Sequence, residues 1–307
     1  MAKKCIIFQR RQEAENMLPS CGETANHPET RHTTPHHPAD PLFKGYPADW
    51  YQNALDVYYR NVGKLTTGSS LLDSLIGGGV ETSTFTLLYG DRRILQTLVH
   101  RLLVNSLLDT ARGGFASPAV YVCCSNYRKE RTVLNTYRLA DTALSAGVNP
   151  TAVFRNIHVA TAFNPLEEYT ISRETERVVR KTGSRLILVD NIALLLCDEK
   201  MRKEFPDVTL TSVIGGFWEA AFRNDAALVA TCRAAPSNPN KHAIPPPEGG
   251  SVLSQKAGVI VYLKTGHRRT HAKAYLRKHP TLPNREATFT FNRYSFRDTG
   301  PEGYRYG

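Results

Sequence analysis

The stretch that most constrains this chain is residues 64–97, KLTTGSSLLDSLIGGGVETSTFTLLYGDRRILQT. Over residues 65–75 apolar side chains recur at helical spacing behind a Thr-Thr-Gly-Ser start, which predicts a short capped helix. Gly77, Gly78 and Gly79 break it. Residues 84–89 are a β-branched and aromatic run, which predicts a buried strand. That strand ends at Gly90, and a long amphipathic helix is expected to open at Ile94, with its apolar face running on to Leu107 and Gly113-Gly114 beyond it. Strand, Gly-led loop and helix in this order are the setting of a nucleotide-binding P-loop.

The loop itself departs from its motif. GxxxxGK[ST] falls on Gly90-Asp91-Arg92-Arg93-Ile94-Leu95-Gln96-Thr97, where only the first Gly and the final Thr fit. Glycines let backbone N–H groups converge on phosphates, and side chains block that approach. Ile94 and Leu95 place bulk in the loop, and neutral Gln96 stands where a Lys pairs the terminal phosphates. Such an ion pair is worth roughly 4 kcal/mol at an effective dielectric of 20. Arg92 and Arg93 restore charge but not the glycine geometry.

Thr66-Thr67-Gly68-Ser69, Leu72-Asp73 and Gly77-Gly78-Gly79-Val80-Glu81-Thr82 lead into this loop. In order and spacing the stretch resembles the RecA/RadA family of strand-exchange recombinases, on its archaeal and eukaryotic side. The likeness extends over about residues 50–299. Residues 119–124 (AVYVCC), 156–164 (NIHVATAFN), 186–191 (LILVDN) and 226–233 follow as the family's successive strands. Residues 259–266 and 271–277 read as a basic hairpin, and Pro280-Thr281-Leu282-Pro283 with Glu286-Ala287-Thr288-Phe289 as the closing segment. The resemblance implies an α/β fold, a RecA-like P-loop NTPase core whose mostly parallel twisted central sheet is flanked by helices and carries a C-terminal antiparallel hairpin. It divides the chain into a polar arm (1–44), a linker with a polymerisation-like motif (45–64), the degenerate ATPase core (65–299) and a tail (300–307).

The same resemblance assigns roles residue by residue. Gly90, Asp91, Arg92, Arg93, Gln96 and Thr97 would form the nucleotide loop, and Asp190 would stand near magnesium. Tyr51 and Ala54 stand at an aromatic-x-x-Ala motif that docks into the next subunit, the alternative being a helix packed on its own domain. Residues 197–208, with Lys200, Arg202 and Lys203, take the place of the first DNA-binding loop; a solvated turn is the plainer reading of that cluster. Residues 234–255, with Lys241 and His242, take the place of the second, and Arg268 and Arg269 add charge from the hairpin. Where the family activates the attacking water with Glu, the chain has Ser125, ahead of a kept Arg128-Lys129-Glu130-Arg131 end. Serine is no general base there. Arg233 replaces the Gln that senses the terminal phosphate, and Lys278 replaces a capping Asp.

Composition sets the partners. The 307 residues carry 39 Lys and Arg against 28 Asp and Glu, a net charge of +11, which suits an anionic partner and nucleic acid first. No run of 18 apolar residues exists, so no membrane span is expected, and the apolar core of the first residues is too short for a signal peptide. Six cysteines without CxxC spacing suggest a reducing compartment and no structural zinc. His27, His32, His36 and His37 lie in the polar arm, which reads as disordered, with a metal site as the alternative.

Arg93, Gln96, Ser125, Arg233 and Lys278 are changed while the scaffold around them is kept. The expectation is a DNA-binding, non-hydrolysing paralogue that favours single strands and joins or assists an active RecA/RadA-type recombinase or its other paralogues. ATP with magnesium is the cofactor the family implies and the altered loop argues against. Two rivals stand beside it: an ATP-dependent recombinase whose site a neighbouring subunit completes, and a scaffold that binds no DNA. The divergence suggests a eukaryotic paralogue and hence the nucleus, with cytoplasm or nucleoid for an archaeal protein.

Overall fold

The fold is that of a computed structural model, which describes residues 62–125, 134–236, 244–266 and 268–298 and the backbone of Tyr304–Tyr306. All of these fall in the unit that starts at Arg60. The polar arm, Tyr51 and Ala54, the Arg128–Arg131 end, Lys241 and His242 lie outside the described residues.

Hydrophobic strands without alternation belong in a sheet covered on both faces, and that is what these runs build. β1 (Lys64–Leu65) pairs antiparallel with β2 (Val80–Glu81) in a small ladder. The main sheet holds β3 (Phe85–Gly90), β4 (Ala119–Cys124), β5 (Ile157–Ala162), β6 (Leu186–Asp190), β7 (Ala227–Cys232) and β8 (Val259–Thr265). It continues through β9 (His271–Lys278), β10 (Arg285–Phe291), β11 (Phe296–Asp298) and β12 (Tyr304–Tyr306). Its order is β11-β10-β9-β8-β3-β7-β6-β4-β5, with β12 also paired to β10. From β8 to β5 all neighbours run parallel, and from β8 to β11 they run antiparallel. The expected parallel core with a C-terminal antiparallel hairpin is therefore what forms.

Period-two alternation sends successive strand residues to opposite faces. Leu88, Tyr121, Leu188 and Val261 pack on one side with α2 (Arg92–Asn105), α3 (Thr136–Ser145) and α4 (Pro150–Asn156). Leu87, Val122, Val189 and Ala230 pack on the other with α5 (Pro165–Thr182) and α7 (Leu210–Arg223). Three short helices complete the described part: α1 (Ser70–Leu75), α6 (Glu199–Glu204) and α8 (Gly250–Lys256).

The Thr-Thr-Gly-Ser and Leu-Asp signatures have local structural work. Ser69 is the N-cap of α1, its side chain accepting from the Leu72 N–H, so the helix starts at Ser70 and Leu65 belongs to a strand instead. Asp73 accepts from Thr66 Oγ1 at 2.5 Å, Thr67 Oγ1 at 2.6 Å and the Thr67 N–H at 2.7 Å. In the glycine turn, Gly79 has φ +129°, and a Cβ there would lie 2.5 Å from the Leu65 carbonyl oxygen. No described helix is long and apolar enough to cross a membrane.

Candidate functional site

The expected loop is a helix. α2 opens at Arg92, two residues before Ile94, because Asp91 caps it: its Oδ1 accepts from the Arg93 N–H at 2.8 Å. Its Oδ2 accepts from the Thr265 hydroxyl, which ties the cap to the end of β8. Ile94 and Leu95 then turn into the core, 0% and 5% exposed. α2 ends at Asn105 rather than near Gly113, and a short 3-10 turn, Thr110–Arg112, follows. Gly90 is needed for a contact of its own. At φ +127°, a Cβ would stand 2.1 Å from the Leu263 carbonyl oxygen, so the chain passes β8 only without a side chain.

This helix divides the residues assigned to the nucleotide. Gly90, Arg92 and Gln96 line a cavity of about 320 Å³ together with Leu95, Asp190, Asn191, Arg233 and Ala234. Arg93 and Thr97 face a different space, a basin of about 1010 Å³. Asp91 lines neither and serves as the cap.

Asp190 ends β6 in the buried position a strand-end acid takes. Its Oδ1 accepts from the Thr231 hydroxyl at 2.5 Å and its Oδ2 from the Tyr121 hydroxyl at 3.1 Å. Burial pushes its pKa above the usual carboxylate value, against those two donors and the charge of Arg92. Thr97 is 1% exposed. Its hydroxyl faces the Arg93 carbonyl at 3.1 Å and the Asn292 carbonyl at 3.3 Å, and it accepts from Arg138 Nη2 at 2.7 Å. Arg138 also donates to Gln96 Oε1 at 3.2 Å and to the Arg293 carbonyl at 2.9 Å.

A magnesium triphosphate does not fit these residues. No glycine-rich turn stands between Gly90 and Thr97 to aim backbone donors at phosphates. The Thr97 hydroxyl is shared by an arginine and two carbonyls, in a different cavity from Asp190. Ser125, at the place of the water-activating acid, is buried, its N–H on the Ala162 carbonyl. Lys278 also has a local use: its Nζ donates to the Ser254 and Gln255 carbonyls, both at 3.1 Å, at the end of α8.

Of the residues assigned to DNA, Lys200, Arg202, Lys203, Arg268 and Arg269 are exposed. Lys200, Arg202 and Lys203 sit on a helix rather than a loop, because Asp198 caps α6 by accepting from the Lys200 and Met201 N–H groups. Lys203 pairs with Glu199 at 2.9 Å, both largely exposed. Arg268 and Arg269 lie in the β8–β9 connection, and Arg269 reaches the larger basin. The motifs gave no sign of Arg138, Tyr137 or Arg293; only their clustering in space reveals them.

The Rad51 family model matches residues 59–299. The chain belongs to the Rad51 family. Among its relatives is the DNA repair and recombination protein RadA of Aeropyrum pernix, 30% identical over 258 residues, covering 80% of this chain and 76% of that one. The RadA of Metallosphaera sedula is 33% identical over 146 residues, covering 46% and 43%. In this Rad51-family chain the turn after β3 is the start of α2, capped by Asp91.

Proposed function

We propose that this Rad51-family chain works in DNA recombination and repair as a DNA-binding member that does not hydrolyse ATP. It assembles with an active RecA/RadA-type recombinase or its other paralogues. The family membership and the RadA relatives support the first part. The observation that carries the second is the helical turn at Arg92–Gln96, with Arg138 on the Thr97 hydroxyl. Positive net charge and the exposed Lys200, Arg202, Arg268 and Arg269 support binding to a phosphate backbone, for which single strands are the preferred form. Tyr51 and Ala54 are the proposed docking motif toward the partner, and the nucleus is the proposed location for a eukaryotic chain.

Phosphate release by the purified chain, with and without single-stranded DNA, tests the catalytic part. The expected rate is background in both. Turnover that disappears in Asp190→Ala overturns it and favours a site completed between subunits. DNA affinity absent even at low salt leaves the scaffold reading in its place.

A further inference from the structure

The basin of about 1010 Å³ lies where the N-terminal turns of α2 and α3 meet the β10–β11 loop and the β8–β9 connection. Four arginines line it, one from each segment: Arg93, Arg138, Arg293 and Arg269. Among the described residues none of the four is in an ion pair. Asp141 is the one acid in the lining.

Two of these guanidinium groups, those of Arg138 and Arg93, are held in place without being neutralised. Arg138 is anchored on neutral acceptors, Thr97 Oγ1, Gln96 Oε1 and the Arg293 carbonyl. Arg93 lies over the Phe291 ring at 5.9 Å. Burial, then the charges of Arg293 and Arg93, disfavours the charged form of Arg138. Gathering like charges costs energy that an anion offsets, and guanidinium is matched to phosphate oxygens. Tyr137, on the first turn of α3, stands at the rim with 85% of its surface exposed. An open aromatic face beside a cationic groove is the arrangement on which unpaired bases stack.

We propose that this basin holds a short run of single-stranded nucleic acid, its phosphates on the four arginines and a base on Tyr137. The proposal rests on the DNA-binding reading above and adds a contact face distinct from α6. Arginines drawn from four segments around an open basin suit a backbone that passes through. The volume is at the upper end of small-molecule sites.

The test is fluorescence anisotropy of a labelled oligothymidylate over a salt series, with melting curves to check each fold. Arg138 is left alone because it holds Thr97 and Gln96. The Arg93→Ala, Arg293→Ala double variant is expected to flatten the slope of log affinity against log salt by roughly 1.4, two contacts at 0.7 each. Tyr137→Ala is expected to weaken binding about tenfold with the slope unchanged. If both bind like the parent while Lys200→Ala, Arg202→Ala loses affinity, the chain binds DNA elsewhere and the basin proposal fails alone. If no variant and no parent binds the oligonucleotide at low salt, both readings fail. If a mononucleotide binds the parent but not the arginine double variant, and the oligonucleotide slope is the same in both, the basin is a small-anion site and the strand is excluded.

Discussion

Gly90 and Glu168 illustrate two residue-scale constraints, one readable in the sequence and one not. A Gly at the end of β3 is visible in the sequence, yet its requirement here is the Leu263 carbonyl, 2.1 Å from any added Cβ. Gly90→Ala is therefore expected to destabilise the fold by about 3 kcal/mol in denaturant unfolding, with no nucleotide present. Glu168 sits on an amphipathic helix and gave no signal, yet it is 0% exposed and neither oxygen has a hydrogen-bond partner of ordinary geometry. Burial raises its pKa from 4.5 to about 8, and the Cys124 thiol offsets this only in part. The native state therefore holds a proton that the unfolded chain gives up near pH 4.5. Stability from this group is complete below that value and is lost as pH rises toward about 8. Glu168→Gln is expected to stabilise by about 3 kcal/mol at pH 7 and hardly at all near pH 4, read from unfolding midpoints at the two pH values. A gain that does not change with pH would mean that Glu168 is not the protonated group.

At the scale of elements, the hydrophobic runs of β3, β4, β6 and β7 were legible because a doubly covered parallel strand needs unbroken apolar sequence. The helix starts were less so. α2 begins at Arg92 and α6 at Glu199 because Asp91 and Asp198 cap them, whereas a motif-based alignment reads both places as loops. Asp91→Ala removes that cap and the tie to Thr265, and should cost about 2 kcal/mol in thermal or chemical unfolding. Gln96→Lys, which restores the motif's charge, is expected to give no magnesium-dependent ATP binding, because position 96 lies inside a helix. Calorimetric binding by that single variant would show that the α2 turn opens into a loop. The clustering of Arg138 with Arg93 and Arg293 was illegible for another reason. It joins residues far apart in sequence, and no spacing rule links them.

For the whole molecule, the Rad51 family membership and the RadA relatives support a role in recombination and repair, and a net charge of +11 suits a nucleic-acid partner. Lys200→Ala, Arg202→Ala, Lys203→Ala should lower single-strand affinity and flatten its salt slope by roughly 0.7 per lost contact. Lys203 is expected to contribute least because it pairs with Glu199. Tyr51→Ala should weaken association with a recombinase partner by about 2 kcal/mol in a side-by-side affinity measurement. The central claim is that the turn after β3 no longer accepts a nucleotide. Calorimetric titration of ATP into the full chain, with and without magnesium, tests it most directly. No saturable magnesium-dependent heat is expected, in the parent or in Asp190→Ala. Saturable magnesium-dependent binding that Asp190→Ala abolishes would contradict it.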